Sequence, residues 1–395
     1  MPGVNLKFNF GLPGQGSNLP VPAELTDYIK KQKQAPESFI QAPFEKPTLP
    51  KSSNGGALVV IGIGGSNLGA LAIWQALRPE QKIYFIETFD ARRLERLLAK
   101  AKHPWTIFIV SKSGTTSETV ANASVFLGKL KREDKVIAIT DEGSRLWEWA
   151  EDNEFSRIAV PKEIGGRYSV FTAVGLAPLA MAGLDIARLL KGARDITESC
   201  LSADLSKNPA AQSALAIYQN WKSGKIIHDT FIFEPDLEEL GKWYRQLIGE
   251  SIGKNGKGIT PTVSIGTTDL HSVAQLYLDG PKDKFTTFIS AQNRGADFDV
   301  SSKFGLTDLV PDIAGKKFSV LMDAVLAGVK ATYKKKKLPF VEITLADISE
   351  ESLGALMQMK MIETAYLGKL MGVNAFDEPA VELYKEEVRK LLKDL

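Results

Sequence analysis

The sequence predicts an α/β protein built from parallel sheets that helices cover on both faces. Short apolar runs alternate with helical stretches from Ala57 onward, an order typical of βαβ units. The runs are apolar at nearly every position, as expected for strands buried on both faces. At 395 residues the chain is longer than a single core commonly supports, so we expect two domains.

The first alternating region contains the predicted strands ALVVIGI, KIYFIE, WTIFIV and KVIAIT, with helices beginning near Ser66, Asp90, Thr116 and Ser144. An apolar stretch at 170–184 predicts a buried helix, and the helical pattern is expected to end near Leu190. Residues 190–210 are polar and suggest a boundary between domains.

A second α/β pattern follows, with KIIHDTFIF, TPTVSIG, KFTTFIS and PFVEITL as predicted strands, and two helices close the chain at about 352–371 and 379–392. We therefore divide the chain into four parts. Residues 1–55, rich in Pro and Gly, are expected to wrap over the first domain. Residues 56–200 and 201–347 form the two domains, and 348–395 form C-terminal helices.

The composition disfavours several classes of protein. The net charge is only +2, from 49 basic and 47 acidic residues, whereas nucleic-acid binders usually carry a basic surplus. Cys200 is the single cysteine, and the three histidines lack the spacing of a zinc site. No stretch predicts a signal peptide or a membrane span. We expect a soluble cytoplasmic protein without metal, nucleic acid or membrane partners.

A glycine-rich loop, GIGGSNLG at 62–69, stands between a predicted strand and a helix. Its glycines, including Gly65, would let the backbone and Ser66 approach a ligand closely. The loop is also compatible with a ligand-free turn or with a dinucleotide-binding fingerprint. The third glycine position of that fingerprint is occupied by Asn67, but this loop alone leaves the alternatives open.

A second loop, SKSGTTSET at 111–119, concentrates hydroxyl groups at the start of a helix. Hydroxyls, backbone N–H groups and the positive end of a helix dipole together form a cradle for a phosphate monoester. The candidate ligands of the phosphate are Ser111, Lys112, Ser113 and Thr116. Helix capping is the alternative, although capping needs only one hydroxyl.

Two further segments carry charged candidates. Arg167 follows Gly165 and Gly166, so a guanidinium would stand beside exposed backbone, suited to an anion or enediolate. Gln246 and Glu250 are one helical turn apart and share a face, where a partly desolvated glutamate could act as a base. Taken singly, each could be an ordinary surface polar group.

His271, in GTTDLHSVAQ, could transfer protons near neutral pH, or it could be structural. Lys385 lies on the last predicted helix among several lysines and, taken alone, predicts only a solvated charge.

Together these segments resemble the glucose-6-phosphate isomerase family. The blocks GIGGSNLG, SKSGTTSET, GGRYSVFTAVGL, ESIGKNGKG, TTDLHSVAQLYLDGP and NAFDEPAVELYK occur in the family's order, from about residue 58 to residue 385. The resemblance implies two sugar-isomerase-type αβα sandwich domains with mainly parallel sheets and a C-terminal helical arm. It also implies a cofactor-free enzyme of glycolysis and gluconeogenesis that interconverts glucose 6-phosphate and fructose 6-phosphate through an enediol.

The resemblance also implies a role for each candidate. The hydroxyl loop would hold the phosphate, and Gly65, Ser66 and Gly166 would line the sugar pocket with Gln246. Glu250 would be the base, and Arg167 would stabilise the enediolate. His271 and Lys385 would open the sugar ring. The family is homodimeric, and the histidine matching His271 comes from the partner subunit.

Two positions depart from the family's usual pattern, because Glu378 and Leu270 stand where glutamine is usual. A carboxylate at 378 would repel the substrate phosphate unless it is protonated, paired or turned away. We therefore predict that Glu378→Gln lowers the KM for the hexose phosphate.

Two other functions remain as alternatives to this one. The first is isomerisation of a related amino-sugar phosphate, for which ESIGK and DLHS are not expected. The second is a non-catalytic sugar-phosphate sensor, which could dispense with the base and the ring-opening pair.

Overall fold

The computed structural model describes residues 7–10, 22–50 and 55–394, which contain two five-stranded sheets. The strands are β1 (Lys7–Phe10), β2 (Ala57–Ile61), β3 (Ile83–Ile86), β4 (Trp105–Val110), β5 (Lys135–Thr140), β6 (Ser156–Ala159), β7 (Ile227–Ile232), β8 (Thr260–Ile265), β9 (Lys284–Asn293) and β10 (Phe340–Asp347). The helices are α1 (Ala23–Gln34), α2 (Ser38–Gln41), α3 (Leu68–Leu77), α4 (Ala91–Lys100), α5 (Ser117–Leu127), α6 (Arg145–Asp152), α7 (Ala173–Met181), α8 (Ile186–Cys200), α9 (Pro209–Lys222), α10 (Glu238–Ile252), α11 (Ala274–Asp279), α12 (Phe318–Lys335), α13 (Glu350–Met371) and α14 (Val381–Lys393).

The first sheet is wholly parallel, in the order β3-β2-β4-β5-β6. Its central strands are buried along their whole length, which explains their continuous apolar sequence. The predicted starts of the helices near Asp90 and Ser144 are confirmed. The Asp90 side chain accepts a hydrogen bond from the N–H of Arg93, and the Ser144 side chain accepts one from the N–H of Trp147. The parallel α/β prediction is confirmed for this half.

The second sheet has the order β1-β10-β9-β7-β8. Strands β7 to β10 are parallel, and they repeat the strand order of the first sheet from β2 to β5. Strand β1 joins the edge in the antiparallel direction. Thus β1, part of the segment expected to wrap over the first domain, instead extends the second sheet.

Helix α13 lies at the centre of the molecule and packs against α8, α9 and α10. Most of its side chains are buried on all sides. Helix α8 crosses it closely at two glycines: a Cβ on Gly192 would lie 1.8 Å from the carbonyl oxygen of Glu351, and one on Gly354 would lie 2.0 Å from that of Leu189. The expectation that the helical pattern ends near Leu190 is wrong, because Gly192 serves this contact within a continuous helix.

Helix α14 differs from the other long helices because none of its residues is buried. Its apolar residues Leu383, Tyr384, Leu391 and Leu392 are each more than half exposed. None of the helices in the described part of the chain has both the length and the apolar character needed to cross a membrane.

Candidate active site

The first sheet has a topological switch point between β2 and β4. The chain leaves β2 toward β3 on one side and returns to β4 on the other, so a crevice opens at the carboxyl ends of these strands. The two loops that the sequence singled out, 62–67 and 111–116, both follow these strand ends. In the second sheet the corresponding loops, after β7 and β9, are joined by an ion pair of 2.9 Å between Glu234 and Arg294.

Glycines let two loops meet inside this crevice. A Cβ on Gly65 would lie 2.2 Å from the carbonyl carbon of Gly166 and 2.5 Å from the nitrogen of Arg167. The hydroxyl of Ser169 donates to the carbonyl oxygen of Gly65 over 3.3 Å. No side chain fits at position 65, so the backbone of both loops stays exposed to a ligand.

The hydroxyl loop before α5 is organised by its own side chains. The oxygens Oγ of Ser111 and Oγ1 of Thr116 lie 2.9 Å apart, and the N–H of Gly114 donates to Ser111 Oγ over 3.2 Å. Gly114 has a φ of +70°, which a side chain would strain. Thr116 occupies the N-cap position of α5 without a side-chain capping bond. Capping therefore does not account for these hydroxyls.

Lys112 connects this loop to the loop after β6. Its ammonium donates to the carbonyl oxygens of Lys162 and Ile164. An ammonium has three N–H groups, so one remains for a ligand in the crevice. Because Gly165 and Gly166 follow directly, this contact also fixes the path of the chain that leads to Arg167.

Arg167 is the most constrained charged group of the site, with a side chain that is 1% exposed. Its Nε donates to Ser251 Oγ over 2.8 Å. Its Nη2 donates to the carbonyl oxygens of Ala375 and Asp377 over 2.8 and 3.1 Å. Three of its five N–H groups are thus committed to the protein, which leaves Nη1 to face the crevice.

Two carboxylates face Nη1. Oε2 of Glu378 lies 2.6 Å from it, and Oε2 of Glu250 lies 3.5 Å from it. Glu250 also accepts a hydrogen bond of 2.9 Å from Nε2 of Gln246, so the pair that the helical spacing predicted shares one face of α10. A carboxylate beside a fixed cation is an arrangement suited to moving a proton next to a developing oxyanion.

Three residues that no sequence pattern singled out support this arrangement. Ser251 holds Arg167, and Lys254 forms an ion pair of 2.9 Å with Asp377. The hydrogen bond from Lys254 lowers the pKa of the Asp377 carboxyl, so that carboxylate is already neutralised without Arg167. Ser251 and Lys254 stand in ESIGK beside Glu250, but only the fold shows what they contact.

The structure does not bring His271 and Lys385 to this cluster. His271 is exposed on a short 3-10 helix, Thr268–His271. Lys385 lies on α14 and pairs with Glu382 at 2.7 Å. No contact within the described part of the chain joins either residue to Arg167 or Glu250. The adjacent Leu270 is partly buried against the apolar cluster that contains Phe231, and it lines an apolar cavity of about 260 Å³.

The described residues contain no group of three or more His, Cys, Asp or Glu side chains placed to hold a metal ion. The sequence model of the phosphoglucose isomerase family matches residues 21–289. The chain is 38% identical to glucose-6-phosphate isomerase of Methanocaldococcus jannaschii over 350 residues, which cover 87% of this chain and 86% of that protein.

This chain belongs to the phosphoglucose isomerase family.

Another relative agrees with the family assignment. Glucose-6-phosphate isomerase of Leptospira biflexa is 37% identical over 357 residues, covering 85% of this chain and 79% of that one.

Solved structures agree on the fold. A hypothetical protein from Thermus thermophilus superposes with a TM-score of 0.85 at 29% identity, covering 94% of both chains. A glucose-6-phosphate isomerase from Chlamydia trachomatis superposes with a TM-score of 0.81 at 20% identity, covering 94% of this chain and 83% of that one. The predicted fold class, two α/β domains with mainly parallel sheets and a helical C-terminal region, is confirmed.

Proposed function

We propose that this phosphoglucose isomerase family member interconverts glucose 6-phosphate and fructose 6-phosphate by proton transfer between C2 and C1. The observation that carries the proposal is the position of the Glu250 carboxylate beside the fixed guanidinium of Arg167. Abstraction of a proton next to a carbonyl needs a base, and the enediolate that forms needs a cation. Both groups stand in the crevice where α/β sheets bind ligands.

Glu250 is suited to be the base because it is both held and accessible. Gln246 orients one carboxylate oxygen, and about a third of the side chain, 34%, is exposed. Arg167 is suited to the oxyanion because it cannot lose its proton and is already oriented before substrate binds.

The hydroxyl loop is the proposed site of the substrate phosphate, with Ser111, Lys112, Ser113 and Thr116 as its ligands. The loop supplies neutral donors, one free ammonium N–H and the N-terminus of α5. Binding energy from this remote phosphate would orient C1 and C2 against Glu250. Gly65, Ser66 and Gly166 would border the sugar between the two groups.

We further propose that the protein is a homodimer and that His271 of one subunit completes the site of the other. Within one chain His271 is exposed, and no described contact joins it to Glu250. Ring opening needs a group that exchanges a proton with the ring oxygen, and a histidine is suited to that task near neutral pH. We propose that Lys385 on the exposed α14 assists in this step.

Exposed apolar residues support association with a second copy of this chain. Phe298, Phe304, Leu306 and Leu309 are 70%, 93%, 73% and 80% exposed, and the apolar residues of α14 are also uncovered. Large exposed apolar side chains of this kind favour an interaction surface, and a twofold dimer is the commonest assembly. A cytoplasmic location stays a prediction.

The experiment that tests the function is turnover of fructose 6-phosphate, measured by coupling product formation to glucose-6-phosphate dehydrogenase. We expect turnover by the natural protein and a loss of about 10²- to 10⁴-fold in kcat for Glu250→Gln, which removes the base but keeps its shape. Glu133→Gln, at the exposed position just before β5 and at the edge of the sheet opposite the crevice, is the charge-matched control and should retain activity.

The outcomes separate the competing functions. A folded protein whose melting temperature rises with fructose 6-phosphate but which shows no turnover would be a sensor. Turnover of an amino-sugar phosphate in preference to fructose 6-phosphate would indicate the related isomerase. Full activity of Glu250→Gln would remove Glu250 from the proposed mechanism while leaving the reaction.

A further inference from the structure

Arg167 presents only one nitrogen to the crevice. Its Nε and Nη2 are bound to Ser251 and to two backbone carbonyls. The two N–H groups of Nη1 are therefore the only donors of this guanidinium left for a ligand. An enediolate oxygen that Arg167 stabilises must therefore contact Nη1.

In the structure Nη1 donates a hydrogen bond to the carboxylate of Glu378. The distance of 2.6 Å from Oε2 of Glu378 to Nη1 is much shorter than the 3.5 Å from Glu250. Charge-assisted hydrogen bonds of this length are among the stronger ones. Nη1 of Arg167 therefore binds the Glu378 carboxylate more strongly than the carboxylate of Glu250, the proposed base.

Glu378 is also the carboxylate that can most readily leave. Its side chain is 44% exposed, and in the described part of the chain no other ion pair or side-chain hydrogen bond holds its carboxylate. Glu250, by contrast, is tied to Gln246, and the neighbouring Asp377 is neutralised by Lys254. Water can solvate the released Glu378 carboxylate at little cost.

We propose that Glu378 is a displaceable counter-ion of Arg167, which must give up Nη1 before the protein can stabilise a negative charge at C1 or C2 of its ligand. The inference rests on the proposed function, because it takes Nη1 as the group that faces the enediolate. Glu378 is thus a positioning residue that lowers the affinity of the site for the charged intermediate.

The pairing of Glu378 with Arg167 predicts a different kinetic effect of Glu378→Gln. The sequence alone predicts a lower KM, from repulsion between Glu378 and the phosphate. The structure pairs Glu378 with Arg167 and shows no contact, among the described residues, between Glu378 and the hydroxyl loop. Since interactions that strengthen only in the transition state raise kcat, we expect Glu378→Gln to raise kcat and to leave KM nearly unchanged.

Two open-chain ligands that differ in the charge at C1 can test this proposal. In 6-phosphogluconate, C1 is a carboxylate, which places negative charge where the enediolate would carry it. In glucitol 6-phosphate, C1 carries a neutral hydroxyl, and the phosphate is the same. Titration calorimetry on the full-length protein measures both. We expect Glu378→Gln to tighten binding of 6-phosphogluconate by about tenfold and that of glucitol 6-phosphate by less than about twofold, since the removed charge repels the C1 carboxylate, which only 6-phosphogluconate carries.

Glutamine keeps the size of residue 378 and an oxygen that accepts from Nη1, so the loop should keep its fold. Glu133→Gln removes one charge at the opposite edge of the first sheet, where the exposed Glu133 lies just before β5. It should change neither affinity.

Equal tightening of both ligands, or a lower KM with unchanged kcat, would support phosphate repulsion and overturn the counter-ion role. No change for 6-phosphogluconate would overturn it too. If the natural protein binds neither ligand and turns over no fructose 6-phosphate, the proposed function and this inference fall together. If it turns over fructose 6-phosphate, but Glu378→Gln does not discriminate between the ligands, only the inference falls.

Discussion

Lys360 and Glu363, one helical turn apart on α13, form an ion pair of 2.8 Å at the centre of the molecule, where their side chains are 1% and 0% exposed. Tyr244 satisfies both partners. Its hydroxyl donates to the second oxygen of Glu363, and its ring centroid lies 4.5 Å from the ammonium of Lys360. Removing one member would leave the other charge buried without compensation.

We expect Glu363→Leu to lower the free energy of unfolding by about 3–5 kcal/mol, because it leaves the Lys360 ammonium unpaired in the core. The double variant Lys360→Met with Glu363→Leu removes both charges and should recover most of that loss. Urea denaturation of the two variants, followed by fluorescence and circular dichroism, measures the difference. A double variant as unstable as the single one would show that the pair is needed for more than charge balance.

Stability should also depend on pH through His228. Its side chain is fully buried, and Nε2 lies 2.9 Å from Oγ1 of Thr287. Burial, reinforced by the positive charge of Lys360, lowers the pKa of His228 from 6.5 to about 3. Between these values the unfolded chain binds a proton that the folded chain does not. The contribution of His228 to the free energy of unfolding is therefore complete above pH 6.5. It is lost progressively as the pH falls from 6.5 toward about 3.

One proton gives a slope of up to about 1.4 kcal/mol per pH unit in this window. His228→Gln keeps a hydrogen-bonding group for Thr287 but does not titrate, so the slope should become shallower by that amount. Urea midpoints at pH 7, 6 and 5 measure it. An unchanged slope in the variant would assign the pH dependence to other groups.

The cavity beside Leu270 offers a stabilising substitution. Gly328 lies on α12 at the cavity wall, and a Cβ there would meet no atom within 4 Å. Because alanine favours a helix over glycine, Gly328→Ala should stabilise the protein by about 1 kcal/mol. Gly354→Ala is the matched control on α13, where the new Cβ would clash with Leu189 and destabilise. Differential scanning calorimetry should give melting temperatures that change in opposite directions, and a shared direction would contradict the packing argument.

Shared active sites predict complementation between inactive variants. If His271 acts across a dimer interface, a mixture of Glu250→Gln and His271→Asn subunits forms heterodimers with one site that carries both natural residues. After unfolding and refolding together, the mixture should recover roughly a quarter of natural activity, since half of a random mixture is heterodimer. Activity no higher than that of the separate variants would place His271 and Glu250 in the same subunit or remove one of them from catalysis.

The sequence predicted most of the fold because burial on both faces makes central strands apolar throughout. All eight proposed strands are present. Among the strands in the described residues, β1 and β6 were not identified. Strand β6 is short, lies at a sheet edge and buries only Ile158, so its sequence has no apolar run. The polar stretch after Leu190 suggested a boundary, but α8 continues through it to Cys200 because one face of the helix, including Ala193 and Ile196, is buried.

The sequence predicted most of the individual candidate residues of the site but not the contacts between them. Local patterns marked the hydroxyl loop, Arg167 and the Gln246–Glu250 pair. The pairing of Arg167 with Glu378 joins residues 211 positions apart, and no local pattern contains such a contact. The carbonyl oxygens that fix Arg167 carry no side-chain signature at all.

The contacts of Arg167 also bear on the synthesis of the chain. The first sheet and Arg167 leave the ribosome early, and domains generally fold in that order. The carbonyl oxygens of Ala375 and Asp377, which fix the guanidinium, lie 208 and 210 residues further along the chain and are made later. A growing chain with a finished first sheet would therefore still hold an unaligned arginine. Catalytic competence would arrive only when the segment that contains Ala375 and Asp377 docks, so chains that lack this segment would be inactive even if they fold.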